Sequence, residues 1–154
     1  MLIRRIVLSA LLASTLTYGQ QLSLPAQVKS ARRIFIENEA GDTSVLDSAH
    51  LALASSRFNW VDDKDTADLV FTFNRNASTA SRTVKGDSIS IAIRNTYTLE
   101  VTDQHGTIIW KSSTDLSNSN VRKDRTERSW IEYLHHHPAA QLVNKFLAAA
   151  EQSR

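Results

Sequence analysis

The chain has 154 residues, 42% of them hydrophobic, with 18 basic and 16 acidic side chains and a formal net charge of +2. Two of the basic residues lie in the first 19 positions, and without them 16 basic and 16 acidic residues balance, which argues against a nucleic-acid partner. The sequence contains no cysteine, which excludes disulfides, thiolate-bound metals and lipid attachment through an N-terminal cysteine.

Residues 1–19 have the layout of a secretory signal peptide. Two arginines precede a mostly apolar run from Ile6 to Leu16, which is shorter than the roughly 20 residues that a membrane-spanning helix needs. Small residues then predict cleavage after Gly19, and an uncleaved anchor is the alternative. We therefore expect a periplasmic or secreted protein, with no stable membrane insertion after cleavage and a single domain at 20–154.

The N-terminal part of this domain alternates between strands and one helix. The run RRIFIEN at 32–38 is compact and apolar, as is typical of a buried strand. Residues 41–58 predict a helix, because Ser44 and Asp47 approximate a capping box and apolar residues recur at helical spacing. Around them we expect a polar lead-in at 20–31 and a short strand at 58–61.

The middle of the chain contains the clearest strand signal. In SISIAIRNTYTLEVTD, apolar residues occupy odd positions and polar residues nearly all even ones, so 88–102 predicts a long strand with one buried and one wet face. Antiparallel sheets have this property. The apolar face comprises Ile89, Ile91, Ile93, Tyr97, Leu99 and Val101. We also predict a polar turn at 62–68, a strand at 69–76, a mobile loop at 77–87, a turn at 103–106 and a hairpin strand at 107–115.

Two helices are predicted near the C-terminus. The first, at 125–134, is indicated by Trp130, Ile131 and Leu134 at helix-compatible spacing. Pro138 begins the second, since proline is favoured at the first position of a helix. Its apolar stripe consists of Ala139, Leu142, Val143, Phe146, Leu147 and Ala150.

Three consecutive histidines, His135, His136 and His137, precede Pro138 and raise the question of a metal or pH-responsive site. Proline disfavours helical geometry at the residue before it, so a helix break is predicted at His137. Consecutive helical residues diverge by about 100°, so the three cannot all chelate one ion from a regular helix. We expect three solvent-accessible, individually replaceable histidines without bound metal, and a histidine-based metal or pH-responsive module is the alternative.

The sequence offers no motif for enzymatic chemistry. Four glycines are too few and too dispersed for a dinucleotide fingerprint, a phosphate loop or a nucleophile elbow. The acidic turn at 62–68 lacks the glycine and glutamate that a helix-loop-helix calcium loop requires. His50 is expected to be half-buried, and Trp60, Trp110 and Trp130 to be core residues. We predict no catalytic, cofactor-binding or metal-binding residue and no cofactor; a hydrolase with a spatially assembled site is the alternative.

Two segments, FNWVDDKDTADLVFTF at 58–73 and YTLEVTDQHGTIIWKSSTD at 97–115, resemble a family of small bacterial envelope proteins of unknown function. They are similar, more distantly, to the α/β domains of the curli-secretion lipoprotein and of penicillin-binding-protein activators. The hairpin motif comprises Asp103, Gly106 and Trp110, and the similarity covers residues 32–116. It implies an extracytoplasmic accessory or binding role and transfers no catalytic residue. The chain departs from the lipoproteins by lacking the acylated cysteine.

These observations predict an α+β fold, with a mostly antiparallel sheet of four to five strands and two principal helices packed on one face. The function predicted is that of a non-catalytic extracytoplasmic accessory or binding domain. An envelope protein is the expected partner, on an uncovered sheet face or on an edge strand at 107–115. That face bears Ser90, Arg94, Thr96, Thr98 and Glu100.

Overall fold

The structure, a computed structural model, describes residues 24–116 and 127–152, so the predicted signal peptide at 1–19 lies outside the described residues. The helices are α1 (Ala26–Ser30), α2 (Ser44–Leu53), α3 (Glu127–His136) and α4 (Pro138–Gln152). The strands are β1 (Arg33–Asn38), β2 (Asn59–Trp60), β3 (Leu69–Lys85), β4 (Ser88–Asp103) and β5 (Ile108–Leu116). Among these helices, none combines the length and hydropathy needed to cross a bilayer.

The five strands form one sheet in the order β2-β1-β3-β4-β5. β3, β4 and β5 are antiparallel neighbours, whereas β1 runs parallel to both β2 and β3. Parallel neighbours need a crossover connection, which α2 supplies between β1 and β2. The predicted α+β class is therefore confirmed, with a sheet that is mixed around β1.

Helices α2 and α4 pack on one side of the sheet, which we call the helix side; the opposite side is the open face. The sheet contributes buried residues from β3 (Leu69, Phe71, Phe73) and β4 (Tyr97, Leu99, Val101). The helices contribute Val45, Ala49, Leu53, Leu142, Val143, Phe146 and Ala150. Phe146 is central, because its ring centroid lies 5.0 Å from that of Phe71 and 5.5 Å from that of Trp110. The predicted apolar stripe of α4 is thus confirmed.

The predicted polar lead-in contains a short helix that the sequence pattern did not reveal. α1 buries Val28, and Leu24 and Ala31 beside it also join the core. Arg57 holds this segment by donating from Nη2 to the carbonyl oxygen of Val28 at 2.7 Å. A single buried valine in five residues leaves no periodicity to detect, which explains the missed element.

Most of the predicted loop at 77–87 is instead strand. β3 continues to Lys85 and pairs with β4 along its whole length, with Lys85 opposite Ser88. The pairing of β3 with β1 ends at Phe73, and the pairing of β4 with β5 ends at Asn95. Residues 78–94 therefore form a two-stranded ribbon beyond the rest of the sheet. We call residues 78–94 the arm.

Gly86 and Asp87 connect the two strands of the arm. Gly86 has φ 60°, in the left-handed region, which matches a two-residue type II′ hairpin loop with glycine first. A bulge interrupts the pairing, since Thr79 lies opposite Ile93 while Ser81 lies opposite Ala92, leaving Ala80 as an extra residue.

The predicted burial of the apolar face of 88–102 holds for only part of the strand. Tyr97, Leu99 and Val101 are buried, whereas Ile89, Ile91 and Ile93 in the arm are 56 to 57% exposed. Val84, paired with Ile89 on the same side, is 62% exposed. The expectation fails in the arm because α2 and α4 do not extend over it.

Candidate functional site

The histidine stretch joins α3 to α4. His135 and His136 end α3 and are exposed, as predicted. His137 is 2% exposed, so the prediction of three accessible histidines is wrong at this position. The helix break turns its ring inward, edge-on to the rings of Tyr97 and Tyr133, with centroids 5.4 and 5.7 Å away.

Asp42 lies beside the buried ring and makes contacts with three segments. Its Oδ1 accepts the backbone N–H of Ser44 at 3.0 Å, where α2 begins. Its Oδ2 accepts the hydroxyl of Tyr97 at 2.8 Å and lies 3.3 Å from Nε2 of His137. We call Asp42, Tyr97 and His137 the buried cluster; it ties α2, β4 and the α3–α4 junction together.

The environment shifts the pKa of all three groups. Burial opposes ionisation of Asp42, but the hydrogen bonds from Tyr97, Ser44 and His137 outweigh it and hold its pKa below the ordinary value. Burial and the hydrogen bond to Asp42 raise the pKa of Tyr97. Burial lowers the pKa of His137, although Asp42 acts in the opposite direction. The cluster therefore combines a carboxylate with a neutral imidazole at pH 7.

Both ring nitrogens of His137 are engaged. Nδ1 accepts the backbone N–H of Ala139 at 3.1 Å, which assigns the ring proton to Nε2, facing Asp42. A general base needs a nitrogen lone pair within reach of a substrate proton. The lone pair of His137 is occupied in the protein interior, so the geometry makes this cluster a structural tie.

Within the described ranges 24–116 and 127–152, no group of three or more histidine, aspartate and glutamate side chains is arranged to hold a metal ion. The acidic turn at 62–68 contains a 3-10 turn at Lys64–Thr66, capped by Oδ1 of Asp63. Asp68 instead accepts the backbone N–H groups of Arg32 and Arg33 and pairs with the Arg33 guanidinium at 2.9 Å. That hydrogen bond from Arg33 lowers the pKa of Asp68 to about 2, so this carboxylate anchors the start of β1 to β3.

His50 is half-buried, as predicted, and stacks on Trp60 with ring centroids 4.5 Å apart. Burial lowers its pKa, although the carboxylates of Asp47 and Asp62 act in the opposite direction. Trp60 itself is 49% exposed. The edge of the sheet at β2 therefore presents an exposed aromatic ring, and Asp47 and Asp62 lie close to the histidine on which it stacks.

The prediction of three core tryptophans is wrong for two of them. Trp110 packs against Phe146 and is half-buried, whereas Trp60 and Trp130 are 49 and 47% exposed. Trp130 stacks on Tyr133 along the surface of α3, with centroids 5.3 Å apart. The position of an aromatic residue beside an apolar run therefore does not predict how deeply its side chain is buried.

The described surface includes shallow grooves. One of about 220 Å³ is lined by residues of α1, Asp68, Asp103 and the turn at 104–105. Another, of about 180 Å³, lies between the end of α2 and α4. Small-molecule sites are usually larger, about 300–1,000 Å³. Asp103 accepts the backbone N–H groups of His105 and Thr107, so it serves the hairpin turn.

The open face presents polar side chains that pair across strands. Thr96 donates to Oδ1 of Asp115 at 2.6 Å, and the hydroxyl oxygens of Thr98 and Ser113 are 2.9 Å apart. Lys111 forms an ion pair with Glu100. In the part of the chain that the structure describes, no helix covers this section of the open face.

Strand β5 is one edge of the sheet. Its nine residues pair with β4 alone in the described residues, so its outer main-chain groups face away from the sheet. The opposite edge, β2, has two residues. Of the predicted surface residues, Thr96, Thr98 and Glu100 lie beside β5, whereas Ser90 and Arg94 lie on the arm.

No protein-family model matches the chain, and no curated protein matches its sequence. A minor lipoprotein from Acinetobacter baumannii shares 16% identity, covering 79% of this chain and 95% of its own, at a TM-score of 0.41. An uncharacterised lipoprotein B from Nitrosomonas europaea shares 17% identity, covering 84% of this chain and 91% of its own, at a TM-score of 0.41. A chain of the PelC dodecamer from Paraburkholderia phytofirmans shares 16% identity, covering 83% of this chain and 92% of its own, at a TM-score of 0.44.

These solved structures include bacterial lipoproteins, one of them uncharacterised. At these TM-scores and identities the similarity carries no argument about what this chain does. The resemblance of residues 32–116 to envelope proteins, to the curli-secretion lipoprotein and to penicillin-binding-protein activators stays a prediction.

Proposed function

We propose that this protein is a non-catalytic extracytoplasmic domain that binds an envelope protein. The binding surface is the open face around Thr96, Thr98 and Glu100, together with the outer edge of β5. The observation that carries the proposal is the sheet's asymmetry, with helices packed on one side and polar residues exposed on the other.

The open face is suited to binding because its side chains are already ordered. Cross-strand partners hold Thr96, Thr98 and Glu100 in position, so docking a partner costs less side-chain entropy than it would on long unpaired chains. The core behind the face is rigid, since Leu99 and Val101 are fully buried. An exposed edge strand can also accept a partner strand through main-chain hydrogen bonds.

A pair of substitutions tests the surface. Arg94→Glu with Thr98→Glu reverses charge on the open face and should abolish capture of a cross-linked envelope partner by the purified, tagged domain. The matched control is Lys145→Glu with Asn144→Glu, which introduces the same charge change on the exposed side of α4. Equal capture by both double variants, with native circular dichroism, would overturn the proposed surface.

Hydrolysis is the other class of function that the sequence left open. The engaged nitrogens of His137 argue against this histidine as a base. A panel of ester and glycoside substrates tests the point directly, with the His137→Gln variant as control. Turnover by the purified domain that disappears in the variant would replace the binding proposal with an enzymatic one.

Export is part of the same proposal and rests on the layout of residues 1–19. N-terminal sequencing of the protein extracted from its native cell envelope should begin near Gln20. An intact Met1 in the extracted protein would contradict cleavage. Recovery from the cytosolic fraction would contradict an envelope partner.

A further inference from the structure

The arm presents an apolar row that the described protein leaves uncovered. Val84, Ile89, Ile91 and Ile93 lie on the helix side of the ribbon and are 56 to 62% exposed. Isolated two-stranded ribbons are marginally stable in water, and contiguous exposed aliphatic rows mark interaction sites. The arm therefore has the properties of a docking element.

The charges of the arm indicate what it docks to. Residues 78–94 contain three basic side chains, Arg82, Lys85 and Arg94, and one acidic side chain, Asp87. Outside the arm, residues 20–77 and 95–154 together contain 13 basic and 15 acidic side chains. Two arms repel each other, whereas an arm and the body of another copy attract each other.

The body offers a matching surface at the β2 edge. Trp60 is 49% exposed and supplies an apolar ring. Asp62, Asp63 and Asp65 follow it and are exposed, and Asp47 on α2 lies close enough to influence His50, on which the ring stacks. We call Trp60, Asp62 and Asp65 the acidic patch; Lys64, between the two aspartates, forms an ion pair with Glu37. The patch combines an aromatic centre with negative charge, which complements an aliphatic row that has Arg82 on its own side. Lys85 and Arg94 lie on the opposite side of the arm and add to its net positive charge.

We propose that the arm of one copy docks on the acidic patch of a second copy. The contact joins two different surfaces, so it is heterologous, and repetition closes a ring or extends a filament. It uses the helix side of the arm, whereas the proposed partner binding uses the open face around Thr98, and the variants that test it leave Arg94 and Thr98 unchanged.

Two other occupants are less suited to the arm. The segment SNSNVRKDRT at 117–126 contains one aliphatic residue, Val121, and three basic residues against one acidic residue. Its composition cannot bury four aliphatic side chains, and its charge has the same sign as that of the arm. An anionic lipid surface fits the charge of the arm and leaves the acidic patch without a role.

Two variants separate the surfaces, each measured by analytical ultracentrifugation over a range of concentrations. The arm variant is Arg82→Glu with Ile91→Ser, a cross-strand pair. The patch variant is Asp62→Lys with Asp65→Lys, which preserves Trp60 and the capping Asp63. The control matched to the patch variant is Glu132→Lys with Glu151→Lys, which makes the same charge change on exposed positions of α3 and α4.

We expect the unsubstituted protein and the control to associate as concentration rises and to dissociate as salt is added. Each surface variant should raise the dissociation constant about tenfold or more, since charge reversal opposes the complementary potentials. A mixture of the arm variant and the patch variant should form a dimer, because one intact patch meets one intact arm. Circular dichroism melts of both variants should match those of the unsubstituted protein, since the altered side chains are exposed.

Four outcomes would overturn the proposal. The first is an unsubstituted protein that stays monomeric up to its solubility limit. The second is a patch variant that associates normally, which would indicate arm-to-arm contact. The third is association that appears only after deletion of residues 117–126. The fourth is a monomer that binds phosphatidylglycerol vesicles through the arm.

Discussion

The hairpin of β3 and β4 has two halves with the same alternation and opposite surroundings. In the near half, Leu99 and Phe73 are fully buried under α2 and α4. In the far half, Ile91 on the same side of the same strand is 57% exposed. Alternation thus specifies which side of a strand is apolar, whereas burial depends on the reach of the elements packed against it. The apolar side of the far half is the surface on which we propose that a second copy docks.

The largest expected effect is at the residue that covers the near half. Phe146→Ala should lower the free energy of unfolding by about 3–5 kcal/mol, because the ring is fully buried between Phe71 and Trp110 and its loss leaves a cavity. Urea unfolding measures the change. Thr98→Ala on the open face is the control, with an expected change below about 0.5 kcal/mol. Equal effects at the two sites would mean that the faces are assigned incorrectly.

The two halves can be compared directly within β4. Leu99→Ala should destabilise the monomer by about 2–5 kcal/mol, since it empties a buried site. Ile91→Ala should change the stability of the monomer by about 0.5 kcal/mol or less, because its side chain is exposed. Both are measured at a concentration where the protein is monomeric. A large loss at Ile91 under those conditions would show that the arm is covered within its own chain.

The buried cluster lies at the boundary between the halves. Tyr97→Phe removes the hydroxyl that donates to Asp42 and leaves the partly buried carboxylate with one fewer donor, so we expect a loss of about 1–3 kcal/mol. Ser113→Ala removes an exposed hydroxyl contact with Thr98 and serves as the control, with a loss below about 0.5 kcal/mol. Indistinguishable denaturation midpoints for the two variants would show that the hydrogen bond from Tyr97 to Asp42 does not stabilise the fold.

The smallest expected effect is on the pH dependence of stability. Burial lowers the pKa of His137 in the folded protein, so below about pH 6.5 the unfolded chain binds the proton more readily. The melting temperature should be steady above this pH and decline as pH falls towards 5. His137→Gln should reduce the decline, and the remainder comes from His50, whose pKa is also lowered by burial. The melting temperature of His135→Gln, a substitution at an exposed position, should decline with pH as that of the unsubstituted protein does. Equal slopes for the unsubstituted protein and both variants would contradict the assignment of the decline to His137.

Elements with a strong local pattern were predictable from the sequence. The alternation in 88–102 identified β4, and Pro138 with its apolar stripe identified α4. The β3 half of the arm was missed because residues 77–83 are mostly serine, threonine and alanine, which provide no apolar alternation. The useful signal was Gly86–Asp87, a two-residue hairpin turn between strands rich in β-branched residues.

The buried cluster could not be predicted in this way. Asp42 is 55 residues from Tyr97 and 95 from His137 along the chain, so no local pattern relates them. The inward orientation of His137 depends on the angle between α3 and α4, which the proline indicates only as a break. The open face was predictable, because the polar positions of β4 were already aligned in the sequence.

The bulge at Ala80 restricts how the length of the arm can vary. Its extra residue puts Arg82 and Val84 on the same side as Ile91 and Ile89. An insertion or deletion of one residue in β3 between the bulge and the turn would rotate every following side chain to the opposite side, dividing the aliphatic row in two. A change of two residues in β3, matched by two residues in β4, would keep the row intact and alter only the length of the arm. Arms of related length are therefore compatible with the same row only when β3 changes by an even number of residues.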